Sequence, residues 1–158
     1  MSVTSDTGDD TRTPSVWARR RARRALVQAV YQWQLSGHGL QELRADFEAG
    51  DALKKADRAF FDTLLEVVVH NAQTLDDAYR PHLDRPIEQL GHVERAILRL
   101  ATAEFRDRID VPYRVVITEY VELAKVFGAQ DAYKYINGVL DVVASDLRSI
   151  EVLARESE

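Results

Sequence analysis

Six arginines crowd into thirteen residues near the start of this chain. Arg12, Arg19, Arg20, Arg21, Arg23 and Arg24 fall within residues 12–24, with no acid among them. A guanidinium is a permanent cation with a planar fork of donors, and that geometry fits phosphate oxygens. Winding the segment at about 100° per residue, with its apolar stripe at zero, puts Arg20, Arg24 and Tyr31 nearly opposite the stripe. Gln28 falls beside them and Arg23 on a flank. Such a face suits a single strand of RNA, because the arginines hold phosphates while the Tyr31 ring offers an unpaired base a surface to stack on. The competing reading is a solubilising face, or one that pairs with acids elsewhere in the chain. Arginine near a helix N-terminus opposes the helix dipole, so some compensating role is expected.

Catalytic chemistry finds little support. His38, His70, His82 and His92 never fall as HxxxH or HExxH, so no helical metal site is visible. There is no phosphate-cradling glycine loop and no GxSxG. The chain has no cysteine, which removes disulfides, thiolate metal sites and thiol nucleophiles together and fits a reducing cytoplasm. Carboxylate pairs such as Glu119/Glu122 are most simply a solvated helix face. The expectation is a protein that is not an enzyme, with no cofactor, no metal and no small-molecule substrate.

The net charge of −5 would argue against nucleic acid if it were evenly spread. It is not. Residues 1–11 hold three acids and no base, and residues 25–158 hold 15 bases against 23 acids. The positive charge is therefore local, and a dense local field attracts phosphate whatever the global sum.

A second candidate region is Phe127-Gly128-Ala129-Gln130-Asp131-Ala132-Tyr133-Lys134-Tyr135, where one helix ends and another begins. Helix N-termini donate to phosphates, and Phe127, Lys134 and Tyr135 could add rings and charge there. It is equally consistent with Phe127 and Tyr135 lying in the core and Asn137 bonding internally. Asp131 is placed as an N-cap.

The elements that must carry these groups are helices. Residues 1–14, rich in Ser, Thr, Asp and Gly, read as a disordered acidic tail, with Pro14 tolerated at a first helical turn. Ala22, Ala25, Leu26, Ala29, Val30 and Trp33 then mark one apolar helix face, stopped at Ser36-Gly37-His38-Gly39. Further helical runs span Leu40 to Ala49, Asp57 to His82, His92 to Arg106, Val115 to Phe127 and Ala132 to Leu147. Gly128 ends the fifth of these six helices. No period-2 run lies between turn signals, no solenoid repeat is visible, and no stretch is apolar enough to span a membrane. The expectation is an all-α fold of about six to seven helices, a single domain over 15–150 with a C-terminal tail over 151–158.

The residues also resemble a known family, that of the bacterial transcription antitermination factor NusB. Ala18-Arg19-Arg20-Arg21-Ala22-Arg23-Arg24-Ala25-Leu26-Val27-Gln28-Ala29-Val30-Tyr31-Gln32-Trp33-Gln34-Leu35-Ser36 resembles its first helix. Val93-Glu94-Arg95-Ala96-Ile97-Leu98-Arg99-Leu100-Ala101 resembles its fourth. Asp110-Val111-Pro112-Tyr113-Arg114-Val115-Val116-Ile117, Glu119, Val121-Glu122-Leu123-Ala124-Lys125, Phe127-Gly128 and Asn137-Gly138-Val139-Leu140-Asp141 resemble the remainder, in order, over about residues 18 to 147. The resemblance implies two packed three-helix subdomains and binding of the boxA element of nascent ribosomal-RNA transcripts. It implies a shared partner, the ribosomal protein NusE, within a transcription elongation complex. It assigns Arg19, Arg20, Arg21, Arg23, Gln28, Tyr31, Phe127, Asp131, Lys134 and Tyr135 to the RNA-facing region, which Arg24 joins by its place opposite the apolar stripe, and His82, Glu88 and Glu94 to the partner face.

The chain departs from that pattern in places. Ala132 stands where serine is usual, Tyr135 where phenylalanine is usual, His82 where tyrosine is frequent, and Tyr120 where a small residue is usual. Two alternatives stand beside the antitermination reading. One is a helical adaptor of an RNA-modifying enzyme; the other is a purely protein-binding helical scaffold.

Overall fold

A computed structural model describes residues 15–157. The stretch 1–14, expected as an acidic tail and including Arg12 and Pro14, lies outside the described residues. Seven α-helices are present among those described: α1 Val16–Ser36, α2 Leu40–Ala49, α3 Arg58–Tyr79, α4 His92–Asp107, α5 Tyr113–Phe127, α6 Ala132–Leu147 and α7 Ser149–Glu156. Single 3₁₀ turns at Arg80–His82 and Ile87–Gln89 lie between α3 and α4.

Local chemistry sets the ends. The Ser15 hydroxyl caps α1 by accepting from the Ala18 amide at 2.9 Å. Gly37 closes that helix at φ 71°, where its amide donates to the Trp33 carbonyl at 2.9 Å. Asp57 caps α3 by accepting from the Phe60 amide at 3.1 Å. The long run from 57 to 82 is not one straight helix. Asn71 leaves helical geometry at φ −126° and ψ 22°, and its side-chain amide donates to the Val67 carbonyl. The expected C-terminal tail from 151 is instead the body of α7. Glu151 holds it in place, accepting from the Tyr113 amide at 2.9 Å and pairing with Arg148 at 2.6 Å.

Helices α1–α3 and α4–α6 form two three-helix subdomains that pack together along α4. This helix packs against α1, α3, α5 and α6, and every residue from Ala96 to Phe105 on it is buried. A helix buried all round must satisfy its polar members from its neighbours. Arg99 and Glu104 are such members, and their partners fix how α4 sits against α3, α1 and α5. No helix among the described residues is long and apolar enough to cross a membrane.

Candidate nucleic-acid interface

One face of α1 is open to solvent from end to end. Trp17, Arg20, Arg21, Arg24, Gln28 and Tyr31 are all exposed along it, while Ala22, Ala25, Leu26, Ala29 and Val30 on the opposite side are buried. Beside the N-terminal half of this strip runs a groove between α1 and α5, lined by Trp17, Arg20, Arg21, Arg24, Glu119 and Leu123. Arg20 donates from Nε to both Glu119 carboxylate oxygens, at 3.1 and 3.2 Å, and its guanidinium lies 4.9 Å from the Trp17 ring centroid. Arg24 lies 5.1 Å over the Phe127 ring, which joins the strip to the end of α5. Farther along, Tyr31 meets the His92 ring edge-on at 6.4 Å.

Two of the arginines assigned to this face are turned elsewhere. Arg19 is half-buried over Phe60, with Asp57 and Asp110 each 3.5 Å away. Asp110 is held down to about 2 by hydrogen bonding from Arg108, against a smaller upward push from burial. Arg23, expected among the RNA-facing arginines, does not reach the surface, because the flank it lies on is covered. It is buried, and it donates to Glu104 through Nε at 2.7 Å and Nη2 at 3.0 Å. The Tyr120 hydroxyl donates to the same carboxylate at 2.7 Å. Burial works against the Arg23 charge, yet its bonds to Glu104 and that group's charge hold its pKa above the ordinary arginine value. Burial, then the Glu104 charge, push the Tyr120 phenol well up, so it stays a neutral donor. Tyr120 thus fills a space between α4 and α5 with a ring and completes a buried Arg–Glu–Tyr cluster.

The second candidate region is only partly drawn to the strip. Phe127 is half-buried beneath Arg24. Asp131 occupies the residue before α6 but does not cap it. Its backbone is left-handed at φ 67°, and its side chain makes no capping bond. An Ncap residue needs extended geometry to aim its oxygen at the first-turn amides, and Asp131 lacks it. Its carboxylate lies 3.9 Å from Lys134 instead. Tyr133, assigned no role from the sequence, has Lys125 at 5.0 Å and Lys134 at 5.9 Å over its ring. Tyr135 accepts from the Asp84 amide through its hydroxyl at 3.1 Å and lies 4.5 Å under Arg85. With Asp131, Arg85 and Glu94 it lines a separate hollow.

The three residues assigned to a protein partner lie on or beside the segment joining the subdomains. Glu88 is exposed on the second 3₁₀ turn. His82 is already engaged, with Nε2 2.6 Å from Asp146. Glu94 accepts from the Ala129 amide at 3.2 Å and so ties the α5–α6 turn to α4. Gly128 is needed at this crossing, since a Cβ there would meet the Ala124 carbonyl at 2.7 Å and Glu94 at 3.0 Å.

Sequence reasoning missed Trp17, because it precedes the apolar stripe that defined the helix. It also missed Glu104 as the Arg23 partner. The available signal was an acid inside the otherwise largely apolar run Ala96–Phe105. Among the described residues no group of three potential metal ligands converges, and the strip offers cations, rings and an amide. Those groups bind phosphates and bases.

Comparison with known proteins gives a consistent answer. The model of the NusB family matches residues 20–145. The transcription antitermination protein NusB of Alcanivorax borkumensis is 52% identical over 143 residues, covering 90% of this chain and 94% of that protein. Its counterpart from Proteus mirabilis is 51% identical over 131 residues, covering 83% and 96%. Among solved structures, a complex of the antitermination factors NusB and NusE with double-stranded RNA contains a chain of matching fold. That match has a TM-score of 0.71 at 28% identity, covering 84% of this chain and 99% of that one.

Proposed function

From a chain that belongs to the NusB family, we propose a transcription antitermination factor that binds RNA along the exposed strip of α1. It acts in the cytoplasm with a NusE-type ribosomal protein and the transcription elongation complex. The RNA is an unpaired boxA-like element of ribosomal-RNA transcripts. The carrying observation is the strip itself, in which Arg20, Arg21 and Arg24 lie on one exposed face with Gln28 and Tyr31 beyond them. Phosphate contacts come from the three arginines, and Tyr31 offers a ring at the far end. Phe127 and Lys134 flank the path; Asp131 opposes it by charge. Arg23 and Arg19 act at one remove, Arg23 as a core residue and Arg19 as a half-buried one. Tyr135, with Glu88, Glu94 and His82, belongs to the face offered to the protein partner and to the turn beside it.

Three arginines on a short strip give few phosphate contacts, so a second surface should strengthen binding. Short boxA-like RNA is expected to bind weakly to the protein alone and more tightly with the NusE-type partner. Replacing Arg20 and Arg24 together by alanine should weaken binding and flatten its salt dependence by up to about 1.4 in the log–log slope for a single strand. Titrations of unpaired, duplex and scrambled RNA, each with and without the partner, decide it. Equal affinity throughout would remove the assignment.

A further inference from the structure

Two aromatic rings stand exposed on α1, Tyr31 at 38% and Trp17 at 62%. We propose that Trp17 is a stacking platform for an unpaired RNA base, lengthening the nucleic-acid path at the N-terminal end of α1. This extends the RNA assignment of the strip and rests on it. Trp17 lies one turn before Arg20 and Arg21 and two turns before Arg24, so it shares their face. It also stands roughly 21 Å along the helix axis from Tyr31. The two rings therefore bracket the exposed arginines.

The surroundings of the indole favour a base. Arg20 packs over the ring at 4.9 Å, and Arg20 is itself held from α5 by Glu119 at 3.1 Å. Guanidinium and indole form a stack fixed from a second helix, which costs little ordering when a ligand arrives. Trp17 as a whole is still more than half exposed, leaving surface for a second flat partner. A nucleobase matches, because base–aromatic stacking needs only a π face, and a strand seated there would place phosphates beside Arg20, Arg21 and Arg24. A duplex keeps its bases paired and stacked, so it has none to give. The recognised chemistry is an unpaired purine or pyrimidine with a flanking phosphate.

The chain has two tryptophans, so Trp33→Phe leaves Trp17 as the sole indole reporter. Titration with a short unpaired boxA-like oligoribonucleotide should change Trp17 emission along the same curve as binding, and a duplex of the same sequence should not. If Trp33→Phe does not fold, the emission difference between the natural protein and Trp17→Ala reads the same signal. Trp17→Ala should weaken binding of the unpaired strand about tenfold, leave Tm unchanged, and be largely rescued in Trp17→Phe. Silent emission at saturation, or unpaired-strand binding within twofold in Trp17→Ala, overturns the proposal. So does an emission change produced by the partner protein without RNA. The Arg20→Ala/Arg24→Ala variant separates the two failures. If it loses binding while Trp17→Ala does not, only the platform falls; if neither variant loses binding, the RNA assignment of the strip falls with it.

Discussion

Arg23 and Arg24 are neighbours in the chain and end in opposite surroundings. Arg24 is exposed over the Phe127 ring, while Arg23 is buried and held at both ends of its fork by Glu104. The same division runs through the molecule. Arg20, Arg21 and Arg24 form an exposed ridge, while Arg23, Arg99 and Arg148 are core groups that hold helices together. Arg99 repeats the Arg23 arrangement on the other side of α4, donating to Asp76 at 2.9 and 2.8 Å, with the Tyr79 hydroxyl on the same carboxylate at 2.7 Å. Arg148 instead donates to the carbonyls of Phe105, Arg108 and Val111, closing the C-terminal end of α4. The run of six positive charges therefore overstates the field available to RNA. Arg23 is spent in the core, Arg19 is shared between two acids, and Arg20 carries Glu119 with it.

The widest separation between the two sets should be in stability. Glu104→Ala strands a buried guanidinium and removes the acceptor of Tyr120, so it should cost about 3–5 kcal/mol. Arg20→Ala/Arg24→Ala, on the surface, should stay within about 0.5 kcal/mol. Denaturant unfolding of both variants measures this. The triple change Arg23→Met/Glu104→Leu/Tyr120→Phe should recover most of the loss, since apolar residues of similar volume can replace a buried cluster once the Tyr120 hydroxyl goes with its acceptor. Similar losses in Glu104→Ala and the ridge variant would erase the distinction.

Acid sharpens the comparison less, but from an independent direction. Burial alone would raise the Asp76 pKa, yet hydrogen bonds from Arg99, Tyr79 and Arg95 outweigh it and hold the group below its ordinary value. Its folded pKa is thus lower than its unfolded one, near 3.9. The stability it contributes is fully present above that value and is lost as pH falls through the folded pKa. Urea midpoints followed downward from about pH 4 should decline less steeply in Asp76→Asn than in the natural protein. Parallel declines would mean the second cluster is not coupled to folding.

Much of the fold was legible because helix period and punctuation are local. The runs Leu40–Ala49 and Ala132–Leu147 coincide with α2 and α6 end to end. The α1 apolar face lies where its spacing put it. What was not legible depends on distant partners. Nothing near Arg23 reveals Glu104, 81 residues away, and a flank position on a wheel is buried or exposed according to the helix that meets it. Residues 151–158 read as a C-terminal tail because the anchors of α7, Tyr113 and Arg148, lie outside it. Asp131 has a good capping residue type, but the tight turn after Gly128 forces it left-handed, which sequence pattern alone does not show.

That left-handed backbone makes Asp131 the cleanest place to test how far the exposed region extends beyond α1. A substitution here normally mixes backbone strain with charge. Asn is the exception, since Asn and Asp are the side chains that tolerate the left-handed region best after glycine. Because the Asp131 side chain makes no capping bond, Asp131→Asn removes no hydrogen bond to the helix. The change is then nearly one of charge alone, at an exposed site 3.9 Å from Lys134. Stability should remain within about 0.5 kcal/mol. If RNA passes the α5–α6 turn, removing one opposing charge and releasing Lys134 should tighten binding by a few-fold, on the order of an exposed ion pair's worth of up to about 1 kcal/mol. The gain should shrink as salt rises, because exposed charges are screened. If the RNA path stays on α1, affinity will not move, and the second region belongs to the protein partner. Weaker binding at unchanged stability would fit neither geometry, and would mean that the Asp131 carboxylate itself accepts a bond from the RNA.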